Sequence, residues 1–317
     1  MSRQIAHNGQ RLRDASVARW RRGGLLLLTA ACLLGGGCRS FAPSNSQAKL
    51  NEGYTLVLPG VLGHAPWDNN LAAGLTDAGV PGAIEVYDWT QGPLMLGYNM
   101  LAGDNVRQHG QKVAKKIVDY QQRYPGRPVH LIGHSGGASA VINTLEALPE
   151  NTRITSAVLL APGLPSDYDL RTAMSHTQGG IHNFYSPYDL LISAMYVPTM
   201  ANRPLGYEPI AAGAFGFQVP DEIQGWQRSD YQRALKQHPY EVAMVEGGNL
   251  GDHFGWTNPA FVAKWIAPVI KEDVPDVRRL PQPDVVAPPP SPVAALPLHR
   301  YVAPPAPQSL AVRGANP

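Results

Sequence analysis

Residues 128–148 join a short apolar segment to a glycine-rich turn and then to a segment of helical period, with nothing between them. The run from 128 to 132 is typical of a buried β-strand, because it is short, apolar and preceded by Pro-Gly. After "GHSGG", apolar side chains recur at helical spacing until Pro149 ends the pattern, namely Ala138, Val141, Ile142, Leu145 and Leu148. Ser135 is therefore predicted to lie at a tight strand-to-helix turn.

The remainder of the central region repeats this alternation of β-rich apolar runs and helical segments. Alternation of this kind predicts an α/β fold with a mostly parallel sheet of about six strands flanked by helices. The predicted strands are 54–58, 84–89, 128–132, 157–160, 181–185 and 242–245, and the clearest helices are 105–124, 136–148 and one beginning at Pro259. No internal repeat or second core is visible, so one domain is predicted.

The first 38 residues read as an export signal. Scattered arginines precede the apolar run "GGLLLLTAACLLGGGC", which is shorter than the about 20 residues that span a bilayer. Its end resembles a bacterial lipobox, so Cys38 is the expected lipidation site and membrane anchor at the cell envelope. An ordinary cleaved signal, with a periplasmic or secreted product, and an uncleaved anchor remain open. The second cysteine, Cys32, lies inside the run, so a chain beginning at Cys38 has no internal disulfide.

The expected boundaries follow from composition. Residues 39–50 form a linker, 51–272 the folded domain, and 273–317 a tail rich in Pro and Ala that is predicted to be disordered. Within the domain, residues 193–239 form either a lid over the site or a surface excursion.

Charge and residue spacing narrow the partners. The 317-residue chain has a formal net charge of +2, and its basic residues form no stripe beyond the N-terminal cluster, which argues against nucleic acid as a main partner. No ligand cluster with metal spacing is present, so neither a metal nor a cofactor is predicted. The sequence leaves the oligomeric state open.

Ser135 needs a base and an acid to act as a nucleophile. The sequence offers His253 in "EGGNLGDHFGW" and Asp189 in "IHNFYSPYDLL", each placed after a later predicted strand. Because the carboxyl ends of parallel strands meet at one sheet edge, both are expected to reach Ser135. Asp167, Asp169 and Asp252 are competing candidates for the acid.

At this point the chain resembles the α/β-hydrolase superfamily, in particular its small lipase- and esterase-like members. The resemblance covers roughly residues 51–271 and rests on "LVLPGVLG", "LIGHSGG", "YSPYD" and "GDHFG" in that order. It implies Ser135 as nucleophile, His253 as general base and then acid, and Asp189 as the orienting acid. It also implies an oxyanion hole formed by the backbone amides of Gly136 and of Val61 or Leu62.

The chain departs from that family in two places. Pro59-Gly60 stands where lipases usually have His-Gly, which affects the second oxyanion donor. The segment before Tyr54 is too short for two leading strands, so a reduced, lipase-like sheet is expected.

The substrate expected from this resemblance is a small-molecule or lipid carboxylic ester. Trp67, Trp89 and His134 are candidates for lining its pocket, although aromatic side chains are more often part of the core. The same triad serves thioesters, amides and phospholipids, and a non-catalytic envelope binding protein on this scaffold is the remaining alternative.

Overall fold

The computed structural model describes residues 45–101, 103–196 and 210–272. The predicted signal peptide with Cys38, residues 39–44 of the linker, the tail 273–317 and residues 197–209 of the predicted lid lie outside this part of the chain. In the described helices, none is both long and apolar enough to cross a membrane.

The sheet confirms the predicted α/β class. Among the described residues, six strands, all parallel, are arranged in the order β2-β1-β3-β4-β5-β6. They are β1 Tyr54–Leu58, β2 Ala83–Val86, β3 Val129–His134, β4 Ser156–Leu160, β5 Ile181–Tyr185 and β6 Leu235–Pro239.

Helices connect the strands and cover both faces of the sheet. The α-helices are α1 Gln47–Leu50, α2 Pro66–Asp77, α3 Leu96–Leu101, α4 Gly103–Arg123, α5 Gly136–Glu146, α6 Arg171–Ser175, α7 Leu190–Tyr196, α8 Ala212–Phe215, α9 Gly225–Ala234, α10 Pro259–Phe261 and α11 Ala267–Glu272. Short 3₁₀ helices lie at Pro93–Met95, Val242–Gly247 and Gly255–Thr257, and a π-helical turn at Val262–Ile266 joins α10 to α11.

The prediction of the last strand at 242–245 was wrong. That segment is a 3₁₀ helix in which Met244 is buried while Val242 is 81% exposed, a spacing that suits a helical turn better than an inserted strand. The strand is instead Leu235–Pro239, which pairs only with β5 and therefore carries polar, half-exposed residues of an edge strand. The second strand also ends at Val86, three residues earlier than predicted.

This result also changes the predicted lid. Residues 225–239, the C-terminal part of the proposed insertion, form α9 and the edge strand β6 and so belong to the sheet architecture.

Alternating strand residues pack into two hydrophobic cores, one on each face of the sheet. On one face Leu56, Leu131 and Leu159 pack with α4 and α5. On the other, Val57 and Ile132 pack with α2 and the C-terminal helices. Burial of both faces explains why the central strands read as continuous apolar runs.

The strand order reverses between β1 and β3. The chain passes from β1 to β2 on one side and then returns to place β3, and all later strands, on the other. The loops after β1 and β3 therefore diverge and leave a crevice at the carboxyl edge, where ligands bind in open α/β sheets. Ser135 and Val61 lie in these two loops.

Candidate active site

Ser135 occupies the turn between β3 and α5 in a backbone conformation that L-residues rarely adopt. Its φ is 55° and its ψ is −121°, and its amide donates to the carbonyl of Leu160 at 2.9 Å. Strain of this kind persists only where the surrounding structure enforces it, and it is typical of functional turns. The conformation places the serine at the amino end of α5.

The neighbouring glycines are required by close approach of the backbone. A Cβ on Gly137 would lie 2.0 Å from the carbonyl oxygen of Leu58, and one on Gly133 would lie 2.5 Å from that of Gly137. Both distances are well inside van der Waals contact, so any side chain would push α5 away from the sheet. The glycines of "GHSGG" therefore allow the helix to begin directly behind Ser135.

His253 and Asp189 form a buried pair at the same edge. Nδ1 of His253 lies 2.7 Å from Oδ2 of Asp189, while the other carboxylate oxygen accepts the amide of Ile192 at 2.9 Å. Asp189 is 0% exposed and His253 is 5% exposed. Because an ionised carboxylate only accepts hydrogen bonds, Nδ1 carries the proton and Nε2 is left with its lone pair.

None of the three competing acids is hydrogen-bonded to His253 in the described part of the chain. Asp252 turns its carboxylate onto the amides of Phe254 and Gly255, at 3.0 and 3.1 Å, and so shapes the loop that carries His253. Asp169 is exposed and pairs with Arg171, which lowers its pKa, and Asp167 is exposed as well. Among these four carboxylates, Asp189 is the one bonded to His253.

Two backbone amides lie beside Ser135. The nitrogen of Val61 is 3.4 Å from the position a Cβ would take on Gly136, so the two residues are in contact. Within the described residues, neither amide donates a hydrogen bond to the backbone or to a side chain. Gly136 is also the first residue of α5, where the helix dipole favours negative charge. Two amides without partners at a helix start could bind an anion, and the assignment of Gly136 and Val61 to an oxyanion hole stays a prediction.

A small pocket joins these groups. It is open to solvent, and the space not occupied by atoms is about 330 Å³, a volume that includes open solvent at its mouth. The described residues that line it are Gly60, Val61, Leu62, Trp67, His134, Ser135, Leu191, His253 and Phe254. Ser135 Oγ makes no hydrogen bond within the described part of the chain and remains available in the pocket. Hydrogen bonds between a nucleophile and its base are often long without substrate and tighten when the substrate binds.

The three predicted pocket residues occupy two different environments. Trp67 and His134 line the pocket. Trp89 does not: it is 1% exposed, belongs to the core, and donates its indole N–H to the carbonyl of Pro59 at 2.7 Å. The strand ends before Trp89, so the chain turns and carries this ring beneath the Pro59–Gly60 loop, which it supports from inside.

Other pocket residues were not predicted. Phe254 directly follows the predicted base, His253, and Leu191 lies two positions after the predicted acid, Asp189. Their apolar character next to those residues was the available signal.

His134 connects the nucleophile turn to the base loop. Its Nε2 lies 2.9 Å from the carbonyl oxygen of His253, and the two rings are 4.9 Å apart. The carbonyl only accepts, so Nε2 of His134 is the protonated nitrogen. Burial, followed by the neighbouring His253, lowers the pKa of His134 to about 3, so this imidazole is neutral across the physiological range.

Among the described residues, no three His, Cys, Asp or Glu side chains are placed to hold a metal ion. The arrangement offers instead a serine, a histidine bonded to a carboxylate, and two free amides around one pocket.

Comparisons with known proteins complete this description. No protein-family profile matches the chain, and no curated protein sequence matches it. Similar solved structures include a dienelactone hydrolase-like phosphotriesterase from metagenomic libraries, at 14% identity over 70% of this chain and 87% of that one, with a TM-score of 0.42. Lipase B of Aspergillus fumigatus is 12% identical over 76% of this chain and 58% of its own, with a TM-score of 0.46. A lipase-esterase related protein of Clostridium acetobutylicum is 11% identical over 75% and 100%, with a TM-score of 0.43.

Proposed function

We propose that this protein is a serine hydrolase that cleaves carboxylic esters through an acyl-enzyme. The observation that carries the proposal is the 2.7 Å contact between His253 Nδ1 and Asp189 Oδ2, in a pocket that His253 shares with Ser135. The acid fixes the tautomer that a general base needs. The strained turn and the two free amides supply the other parts of acyl-transfer chemistry.

In the first half of the reaction, Ser135 Oγ attacks the carbonyl carbon of the ester while Nε2 of His253 takes the hydroxyl proton. The carbonyl oxygen becomes an oxyanion and accepts hydrogen bonds from the amides of Gly136 and Val61. Asp189 stabilises the imidazolium without itself becoming protonated. When the intermediate collapses, the C–O bond to the alcohol breaks and His253 returns the proton to the departing oxygen.

The second half repeats these steps with water. His253 removes a proton from a water molecule, the resulting hydroxide attacks the acyl carbon, and the bond to Ser135 Oγ breaks. The proton returns to the serine, and the carboxylic acid leaves.

Labelling with a fluorophosphonate probe tests the proposal. The probe phosphonylates an activated serine, so the wild type should be labelled and Ser135→Ala should not. Ser156→Ala is the matched control, because Ser156 is buried like Ser135 and lies in hydrogen-bond contact with a histidine but outside the pocket. Absence of labelling on the folded wild type, or labelling that persists in Ser135→Ala, would favour a non-catalytic binding protein instead.

Matched substrates then separate the bond types. An ester, a thioester and an amide with the same acyl group should be hydrolysed with the ester preferred in kcat/KM. A preference for the thioester or amide would retain the triad but change the assigned reaction.

We also propose that the protein is exported and anchored through Cys38, on the basis of the arginine-rich start and the "LLGGGC" segment. Mass spectrometry of the mature protein should find an acylated N-terminal Cys38, and Cys38→Ser should release the protein from membranes. A mature chain that retains the leader, or one cut elsewhere without acyl groups, would contradict lipidation.

A further inference from the structure

The pocket walls are apolar and uncharged. Beside Ser135 and His253, the described lining consists of the apolar residues Val61, Leu62, Trp67, Leu191 and Phe254 together with Gly60 and His134. No Lys, Arg, Asp or Glu side chain lines it within the described residues, and His134 stays neutral because burial lowers its pKa to about 3. A charged group entering this space would lose its hydration without gaining an ionic partner. The pocket therefore favours an uncharged ligand.

Two aromatic rings form one wall. Trp67 and Phe254 lie with ring centroids 4.8 Å apart at an interplanar angle of 51°. Aromatic pairs at this distance attract each other beyond the area they bury. The two half-buried rings therefore form a continuous aromatic surface on this side of the pocket.

Both rings are held by fixed backbone. Trp67 lies in the first turn of α2, where the neighbouring Asp68 accepts the amide of Ala65 at 2.9 Å. Phe254 lies in the turn that the carboxylate of Asp252 caps. A ligand that extends toward this wall would have to displace one of the two rings, so the pair restricts ligand length on this side of the pocket.

The group that meets this limit is best assigned as the acyl chain. During the proposed reaction the alcohol departs and water enters, so that side of the ester must communicate with solvent. The acyl group stays bound to Ser135 until deacylation, and burial against apolar walls stabilises it throughout.

We propose that the substrate is an ester with a short, uncharged acyl group, and that the Trp67–Phe254 pair determines the acyl length that the enzyme accepts. This inference rests on the proposed serine hydrolase function and deepens it.

The experiment measures kcat/KM for p-nitrophenyl acetate, butanoate, hexanoate and octanoate with wild type and Trp67→Ala. The wild type should favour the short esters. Trp67→Ala should raise the octanoate-to-acetate ratio by at least about 10-fold, since a single methylene in an apolar pocket changes specificity by roughly 10–200-fold. Trp67→Leu and Phe254→Leu, which keep an apolar side chain, should give smaller shifts in the same direction.

The matched control is Trp226→Ala, which removes an indole that is 74% exposed on α9 and absent from the pocket lining. It should leave the chain-length profile unchanged. A second series varies the alcohol at constant acetyl group and should respond little to Trp67→Ala.

The outcomes separate the two proposals. Ser135-dependent probe labelling with a wild-type preference for long acyl chains, or with a profile unmoved by all three pocket variants, would overturn the acyl assignment and leave the hydrolase intact. A shift confined to the alcohol series would overturn it too. Absence of both labelling and ester hydrolysis in the folded wild type would overturn the function and, with it, this inference.

Discussion

A serine and a histidine come together in two places on this sheet. Within the sheet, Nδ1 of His130 on β3 lies 2.9 Å from Oγ of Ser156 on β4. At the carboxyl edge, Ser135 and His253 share the pocket. The inner pair, His130 and Ser156, is hydrogen-bonded, yet among the described residues only the outer pair, Ser135 and His253, has an acid and an opening.

The surroundings explain the difference. The second ring nitrogen of His130, Nε2, has no hydrogen-bond partner among the described residues, and burial lowers the pKa of this histidine to about 3. An imidazole in that environment resists becoming charged, so it is a poor base. His253 instead has the carboxylate of Asp189 on its far nitrogen. Proximity of a hydroxyl and an imidazole is therefore insufficient without a compensating charge and access for substrate.

The largest expected effect comes from removing the serine of the outer pair. Ser135→Ala should lower kcat on the order of a million-fold, because the nucleophile is lost while the oxyanion site remains. Steady-state and single-turnover kinetics on a short ester would measure it.

The equivalent change in the inner pair should spare catalysis. Ser156→Ala should leave kcat unchanged but lower the free energy of unfolding by about 1–3 kcal/mol, because a buried ring nitrogen of His130 loses its partner. Near-normal turnover in Ser135→Ala, or a large loss of kcat in Ser156→Ala, would invert the comparison.

The next effect removes the charge that distinguishes the two pairs. Asp189→Asn should lower kcat by about ten-thousand-fold, since an amide can hold the wrong tautomer of His253. Asp169→Asn is the control, because Asp169 is exposed and bonded to Arg171 rather than to a histidine. An unchanged rate in Asp189→Asn together with a fall in Asp169→Asn would transfer the role to Asp169.

A smaller effect concerns His134, which we expect to act as a positioning residue for His253. His134→Phe keeps an aromatic ring but removes the donor to the carbonyl of His253, and kcat should fall by up to about 100-fold with a lesser change in KM. His134→Gln, whose amide can still donate, should recover part of the loss. Equal kinetics for the two variants would show that the hydrogen bond does not position the base.

Sequence patterns predicted the central elements of the fold because buried strands can be recognised from short apolar runs in the local sequence. The bounds of β1 and β5 and the turn at Ser135 follow from apolar runs and glycines. Asp189 was located because residues after parallel strands share one edge. His253 was placed after the predicted strand 242–245, which is a 3₁₀ helix, but the loop that follows edge strand β6 still brings it into contact with Asp189. Their catalytic roles remain predictions.

The failures of prediction lie where tertiary contacts decide. Edge strand β6 reads "LKQHP", with too few apolar residues to be recognised, while the apolar "VAMV" beside it forms a 3₁₀ helix. Trp67 and Trp89 are alike in sequence, yet one lines the pocket and the other fills the core. Only the path of the backbone after β1 and after β2 distinguishes the two tryptophans.

The smallest expected effect appears in the pH dependence of stability. Burial lowers the pKa of His130 from 6.5 to about 3, so below pH 6.5 the unfolded chain binds a proton that the folded chain does not. The free energy of unfolding therefore falls as the pH drops from 6.5 to about 3. His130 contributes at most about 1.4 kcal/mol per pH unit to this fall. Asp68, whose pKa burial raises from 3.8 to about 8, has the opposite sign between those values.

Because the groups oppose each other, the measurement compares variants rather than absolute slopes. Urea unfolding of His130→Gln should show a shallower loss of stability below about pH 6.5 than the wild type, by up to the same increment. Its kcat should be unchanged, whereas His253→Gln should be inactive. An identical slope in His130→Gln would mean that this histidine is protonated in the folded state, and that the inner pair is less different from the outer pair than its burial implies.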